Sequence, residues 1–248
     1  MIGNPPVEDL PGYRRRFRIV PQPHSISALL EDDLHCMRVT LHHDGAAIIA
    51  VEGETLRAPW TTCPGAHRVL EDSFLGASLD HAAAKAVKRH NCTHLYDLAV
   101  LAAAHARDAE PTVYDVCASD PVAGFSRQQL RRNGLIVLAW ETQDDILLPP
   151  ATAAGHHLLA LRDWIATLGD AEREHARILQ WASLVAHGRW MPEADQSDPN
   201  RMAGSCHTFQ PGQIEQTEWI ARRIDFSRGG REPLDSLAGA ATVNPAWL

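Results

Sequence analysis

Between Ser25 and Val51 the chain alternates apolar and polar residues, and this pattern restricts the fold more than any other feature. Ile26, Ala28 and Leu30 recur at spacing two, as do Met37, Val39 and Leu41. An Asp44-Gly45 pair then precedes Ala47, Ile49 and Val51. Period two places one set of side chains on one face of a pleated strand, and Asp-Gly favours a tight reversal. The segment therefore predicts an antiparallel meander with one buried face. Tyr13 to Val20 predicts an earlier strand, broken by Pro21 and Pro23. Thr112 to Ala118 and Gly134 to Trp140 predict two later ones by β-branched and aromatic content, with Asn133-Gly134 as a turn.

Helical signals lie between and after these strands. Thr62-Cys63-Pro64-Gly65 has a cap residue and an early proline before His67 to Leu70, with Gly76 as a stop. Asp80 to Arg89 and Thr93 to Arg107 predict two more helices, the latter with Asn91 as its cap and Leu95, Leu98, Leu101 and Ala102 as its apolar stripe. Beyond Pro149-Pro150 two amphipathic stretches, Leu158 to Leu168 and Ile178 to Val185, meet at Gly169-Asp170 and predict a helical hairpin. From Gly188 the chain is rich in Pro, Gly, Ser and Asp and carries no periodic element, so it either wraps the body or is mobile. The expectation is an α+β fold: an antiparallel sheet covered by helices, followed by a helical hairpin and an irregular C-terminal tail. Residues 13–150 form the core domain, 151–190 the hairpin, a lid or homodimer surface, and 191–248 the extension.

Composition excludes several functions. With 248 residues and a formal charge of −8, the chain has a single basic run, Arg14-Arg15-Arg16-Phe17-Arg18, and no broad cationic face for nucleic acid. No stretch of about 18 apolar residues reads as a membrane span, and no signal peptide is apparent, so a cytoplasmic location is expected. Five separated cysteines without a C-x-x-C pair argue against a disulfide framework. The dinucleotide, phosphate-loop and serine-hydrolase motifs are missing, which leaves no expected cofactor.

Three clusters carry the candidate chemistry. His90-Asn91-Cys92-Thr93-His94-Leu95-Tyr96-Asp97 places a thiol at a helix start, where the dipole favours a thiolate and His94 or His90 can act as base. His94 and Asp97, three apart, share a helix face, and Tyr96 is a proton donor. Glu31-Asp32-Asp33-Leu34-His35 is a charged block inside the strand pattern. His35 falls on the face of Met37 and Val39, so it points inward and needs a carboxylate partner, for which Glu31 and Asp33 are the candidates. Arg57, Trp60 and His67 supply a cation, an indole and an imidazole for substrate binding. His35, His67, Cys92 and His94 could also gather a zinc or iron ion, although no pair has diagnostic spacing and no metal ligand is assigned.

The order Asp33-x-His35, Arg57-x-Pro59-x-x-x-Cys63-x-x-Ala66 and Cys92-Thr93-His94-Leu95-x-Asp97-Leu98 resembles a bacterial domain-of-unknown-function family marked by the Cys-Thr-His-Leu motif. The likeness runs from about Phe17 to Arg107, and more loosely through Cys206 to Phe209. The family carries no settled activity. The resemblance implies catabolic gene sets for hydrophobic or aromatic compounds, and it favours His35, Cys92 and His94 as parts of one site.

Three functions follow. The first is a cofactor-independent lyase or isomerase acting on a small, partly apolar, aromatic metabolite, with His35 or His94 moving a proton. In that reading Asp33 and Asp97 set the imidazole tautomers, and Tyr96 or Arg57 steadies an oxyanion. The second places a divalent metal among the same residues. The third is a non-catalytic ligand-binding protein.

Overall fold

The computed structural model describes residues 5–82 and 88–237. An eight-stranded antiparallel sheet runs through it. The strands are β1 (Gly12–Gln22), β2 (Ser25–Asp32), β3 (Cys36–His43), β4 (Ile48–Arg57), β5 (Thr112–Ser119), β6 (Phe125–Arg132), β7 (Leu135–Gln143) and β8 (Ile146–Leu147). Their spatial order is β4-β3-β2-β1-β5-β6-β7-β8. The meander from β1 to β4 and the one from β5 to β8 thus meet at β1 and β5, where Phe17 lies opposite Tyr114.

One face of the sheet is apolar and covered by helices. Phe17, Ile19, Ile26, Ala28, Leu30, Met37, Val39 and Leu41 are all at most 1% exposed. Helix α1 (Ala66–Phe74) lies on β4 and α2 (Thr93–Ala104) on β2 and β3. The approach of α1 is close, because a Cβ on Gly53 would stand 3.2 Å from the His67 ring. Short α3 (Arg162–Ala166) turns at Gly169 into α4 (Asp170–Ala186), and α4 packs on β5, β6 and β7. The hairpin is therefore part of the core layer and not a lid. A single turn, α5 (Glu193–Gln196), follows.

Three sequence expectations change. β1 does not stop at Pro21, which pairs with Ile26 next to the β1–β2 turn, where a missing N–H is tolerated. β6 was not anticipated. Its sequence, Phe-Ser-Arg-Gln-Gln-Leu-Arg-Arg, is polar, and hydrogen bonds satisfy part of its buried side: Ser126 Oγ lies 2.8 Å from Thr142 Oγ1, and Gln128 Nε2 donates to Ser126 Oγ at 2.6 Å. In β4 the register shifts at His42/His43, so Ile48, not Ile49, enters the core. His43, which continues the series Met37, Val39 and Leu41 on β3, is buried opposite Ile48. The middle of the predicted helix from Asp80 to Arg89 lies outside the described residues; Ala82 is helical, with 3-10 turns at Leu79–His81 and Lys88–His90 on either side.

The opposite face of the sheet is covered by the chain's ends. The basic run at Arg14 to Arg18 is divided between the two faces by the pleat. Arg15 points into the core, Arg14 donates to the carbonyls of Tyr13, Glu8 and Leu10, and Arg16 pairs with Asp115 and Glu232. The irregular tail wraps the body. Glu218 O accepts from Thr61 N, Ile220 N donates to Pro59 O, Ile224 N donates to Asp33 O and Leu234 N donates to Glu31 Oε2. No helix among the described residues is long and apolar enough to cross a membrane.

Candidate functional site

The last residue of β2 on the core face is a carboxylate. Asp32 continues the series Ile26, Ala28 and Leu30 and lies opposite Arg15 of β1. It is fully buried and its oxygens are saturated. Oδ2 accepts from Tyr13 Oη at 2.7 Å and from Arg15 Nε and Nη2 at 3.0 and 2.5 Å. Oδ1 accepts the backbone N–H groups of Leu34 and His35 at 2.9 and 2.8 Å and stands 3.0 Å from His35 Nδ1. Burial by itself would raise the carboxyl pKa. The electrostatic and hydrogen-bond pull of the adjoining His35 and Arg15 outweighs that effect and holds it well below the carboxylate range.

An ionised carboxylate only accepts, so His35 Nδ1 carries the proton of this contact. In neutral His35 the lone pair is then on Nε2. The β2–β3 turn that presents His35 is itself fixed by Arg57, whose guanidinium donates to the carbonyls of Asp33, Asp32 and His35 and to Glu31 Oε1.

His94, on the first turn of α2, stacks on His35 with ring centroids 3.8 Å apart and planes at 27°. Its Nε2 is buried and has no hydrogen-bond partner among the described residues. Burial, together with the proximity of His35 and Arg15, keeps the His94 pKa well below the usual imidazole value, so it is neutral at neutral pH. Possible ligand atoms of Asp32, His35 and His94 all approach within 4.8 Å of one another, a grouping that could hold a metal ion. Both Asp32 oxygens already face strong donors, which makes Asp32 a better support for His35 than a metal ligand.

The other predicted site residues go elsewhere. Asp33 points away from His35 to Arg189, which Asp120 and Asp225 also hold. Its carboxyl is raised to about 6 by burial, against the attraction of Arg189. Asp97 bonds to Lys88 at 2.6 Å and not to His94, and burial raises it to about 6 as well. Asn91 is not the cap of α2; Cys92 holds that position, and the Asn91 side chain donates to Ser73 Oγ.

The helix-start thiol does not acidify. Cys92 is buried, which pushes it up to about 12, against the weaker pull of the backbone amides of Leu95 and His94. His90 is exposed, so it is no base for that thiol. Tyr96 packs against Phe74, with ring centroids 5.4 Å apart, and burial raises its pKa. His67 Nε2 lies 2.9 Å from Thr55 Oγ1 on α1 and β4, and Arg57 has its donors engaged within the turn. Neither is placed as a free substrate contact.

The tail completes the surroundings. Trp60 stacks edge-on with Phe209 and Trp219, at 5.4 and 5.0 Å, in a small apolar cluster that includes Cys63 and Cys206. His207 N donates to Asn91 O, and Thr208 Oγ1 lies 3.5 Å from Cys63 Sγ. Sequence reasoning missed Asp32, Arg15 and Tyr13. The alternation that picked out Leu30 also leads to Asp32, two residues on. No family model and no curated protein matches the chain.

Proposed function

We propose that the protein is an enzyme that transfers a proton on a small organic substrate, a lyase or isomerase in which His35 is the general base. The observation that carries this reading is the saturation of Asp32. Five donors besides the imidazole hold that carboxylate ionised and in place, so it accepts from His35 Nδ1–H and leaves the lone pair of neutral His35 on Nε2. The imidazolium formed when His35 takes the proton is the acid that returns it, and neutral His94 stacks on that ring. The carboxylate orients and does not attack. A partly apolar, aromatic substrate agrees with the Trp60–Phe209–Trp219 cluster that begins three residues after Arg57, and with the likeness to the Cys-Thr-His-Leu family.

The test is incorporation of solvent deuterium into a panel of aromatic carbonyl and hydroxy-acyl compounds, followed by NMR. Wild type is expected to exchange a C–H. His35→Gln is expected to lose at least about 100-fold of the rate while keeping its circular dichroism. Absence of exchange across the panel, or equal exchange in the variant, defeats the reading.

A second reading rests on the 4.8 Å grouping of Asp32, His35 and His94: a divalent metal that polarises a substrate oxygen in a hydrolase or lyase. Elemental analysis of protein purified without chelator separates the two. Near-stoichiometric zinc or iron that falls in His94→Ala favours the metal. A ligand-binding protein without turnover is what remains if a ligand binds and neither exchange nor metal is found.

A further inference from the structure

Three of the five cysteines come together where the tail meets the body. Cys63 opens the 3-10 turn Cys63–Gly65 after β4, Cys92 caps α2, and Cys206 precedes the turn His207–Phe209 of the tail. Three contacts join these segments. His207 N donates to Asn91 O at 2.9 Å, next to Cys92. Thr208 Oγ1 donates to Cys63 Sγ at 3.5 Å, and a Cβ on Gly65 would stand 3.2 Å from His207 Nε2. Each of the three thiols lies within electrostatic reach of the other two. The remaining cysteines, Cys36 and Cys117, belong to β3 and β5.

The donors around the sulfurs follow one pattern. The backbone amides of His94 and Leu95, two and three residues on, face Cys92, and those of Thr208 and Phe209 stand in the same relation to Cys206. The Thr208 hydroxyl and the Trp60 amide serve Cys63. Such donors stabilise a thiolate, the form that binds metal. Burial nevertheless raises all three thiols, Cys92 to about 12 and Cys206 to about 11, so as bare groups they keep their protons at neutral pH. A metal resolves the conflict, because it takes the place of those protons.

The spacing of the sulfurs selects the kind of metal centre. Two thiolates on one tetrahedral zinc ion stand about 3.8 Å apart. Among the described residues only Asp32, His35 and His94 bring three ligand atoms within 4.8 Å of one another, so the sulfur triangle has at least one longer side. An iron–sulfur cluster offers irons at separate corners, and its thiolates need not converge on one point. We propose that Cys63, Cys92 and Cys206 hold an iron–sulfur cluster. His207 Nε2, buried and without a hydrogen-bond partner among the described residues, is the donor for the position that the thiols leave open. Buried Trp60 and Phe209, packed with Cys63 and Cys206, shield the centre from water. Each thiol gives its proton to solvent as its sulfur bonds to iron.

The test is anaerobic incubation of the full chain with ferric iron, sulfide and dithiothreitol, followed by desalting and assay of iron, acid-labile sulfide and visible absorption. Wild type is expected to keep about two to four irons per chain with as many sulfides, and to show sulfide-to-iron charge-transfer bands. Cys63→Ala, Cys92→Ala and Cys206→Ala are each expected to lose at least about 10-fold of the iron, while Cys36→Ala and Cys117→Ala keep it. Circular dichroism checks each fold, and half-buried Cys206 in the irregular tail is the position least able to disturb it. His207→Ala is expected to keep the iron and change the electron paramagnetic resonance spectrum of the reduced centre; an unchanged spectrum removes His207 as a ligand. A metal ion at Asp32, His35 and His94 would carry no sulfide and would not depend on the cysteines. Wild type that retains neither iron nor sulfide overturns the proposal, as does zinc bound at the cysteines in place of iron, or iron that persists in all three variants.

Discussion

At the scale of single residues, Asp32 determines most about the site. It joins β1, β2 and the β2–β3 turn through Tyr13, Arg15 and His35. Replacing it by Asn keeps the volume but leaves Arg15 charged and buried without its counter-ion. Breaking such a pair costs roughly 3 to 5 kcal/mol, so Asp32→Asn is expected to lower the urea midpoint strongly. A loss under 1 kcal/mol would show that the pair is not isolated from water. Asp97 makes the opposite contribution with pH. Its folded pKa of about 6 lies above the ordinary 3.8, so folding favours the protonated form. That contribution is complete below about 4 and is lost as pH rises from about 4 through 6, by at most about 3 kcal/mol for two pKa units. Melting of Asp97→Asn against wild type across that window is expected to move in the variant's favour as pH rises. A constant difference would contradict the shift.

At the scale of elements, the bulge in β4 shows how far alternation can be followed. Period two continued through the Asp44-Gly45 turn assigns Ile49 to the core, yet the shifted pairing of His43 with Ile48 reverses the phase before Val51 resumes it. A bulge adds one residue on one strand and leaves no mark in composition. Ile48→Ala is accordingly expected to cost about 2 to 4 kcal/mol, and Ile49→Ala less than about 0.5, both by denaturant titration. Equal losses would refute the register. β6 teaches the complementary lesson. Its buried polar face reads as a loop because its satisfaction depends on Thr142, 16 residues away.

At the scale of the whole molecule, the tail is pinned by several cations, Arg189 the most buried of those that reach it. Arg189, just after α4, bonds to Asp33 of the β2–β3 turn, Asp120 after β5 and Asp225 of the tail. Arg189→Leu takes the counter-charge from Asp33 and Asp120 and leaves Asp225 with Arg228 alone. Loss of at least about 3 kcal/mol and rapid proteolysis between residues 197 and 237 are expected, with peptide mass spectrometry as the readout. Protection equal to wild type would show that backbone bonds such as Ile224 N to Asp33 O suffice to hold the tail.

Local pattern determined the meander, the Pro64-led helix, the helix from Thr93, the turn at Asn133-Gly134 and the inward orientation of His35, because each depends on residues within one or two turns of chain. Partnership was decided only in three dimensions. Asp33 and Asp97 lie as near to the imidazoles in sequence as Asp32 does, but the pleat sends Asp33 to Arg189, and Lys88 takes Asp97. The thiol of Cys92 has a helix start in its favour, and burial under the returning tail overrides it. Electrostatic environment depends on what covers a group. The cover comes from distant segments, as with Arg189, 156 positions from Asp33, a separation that spacing along the chain does not encode.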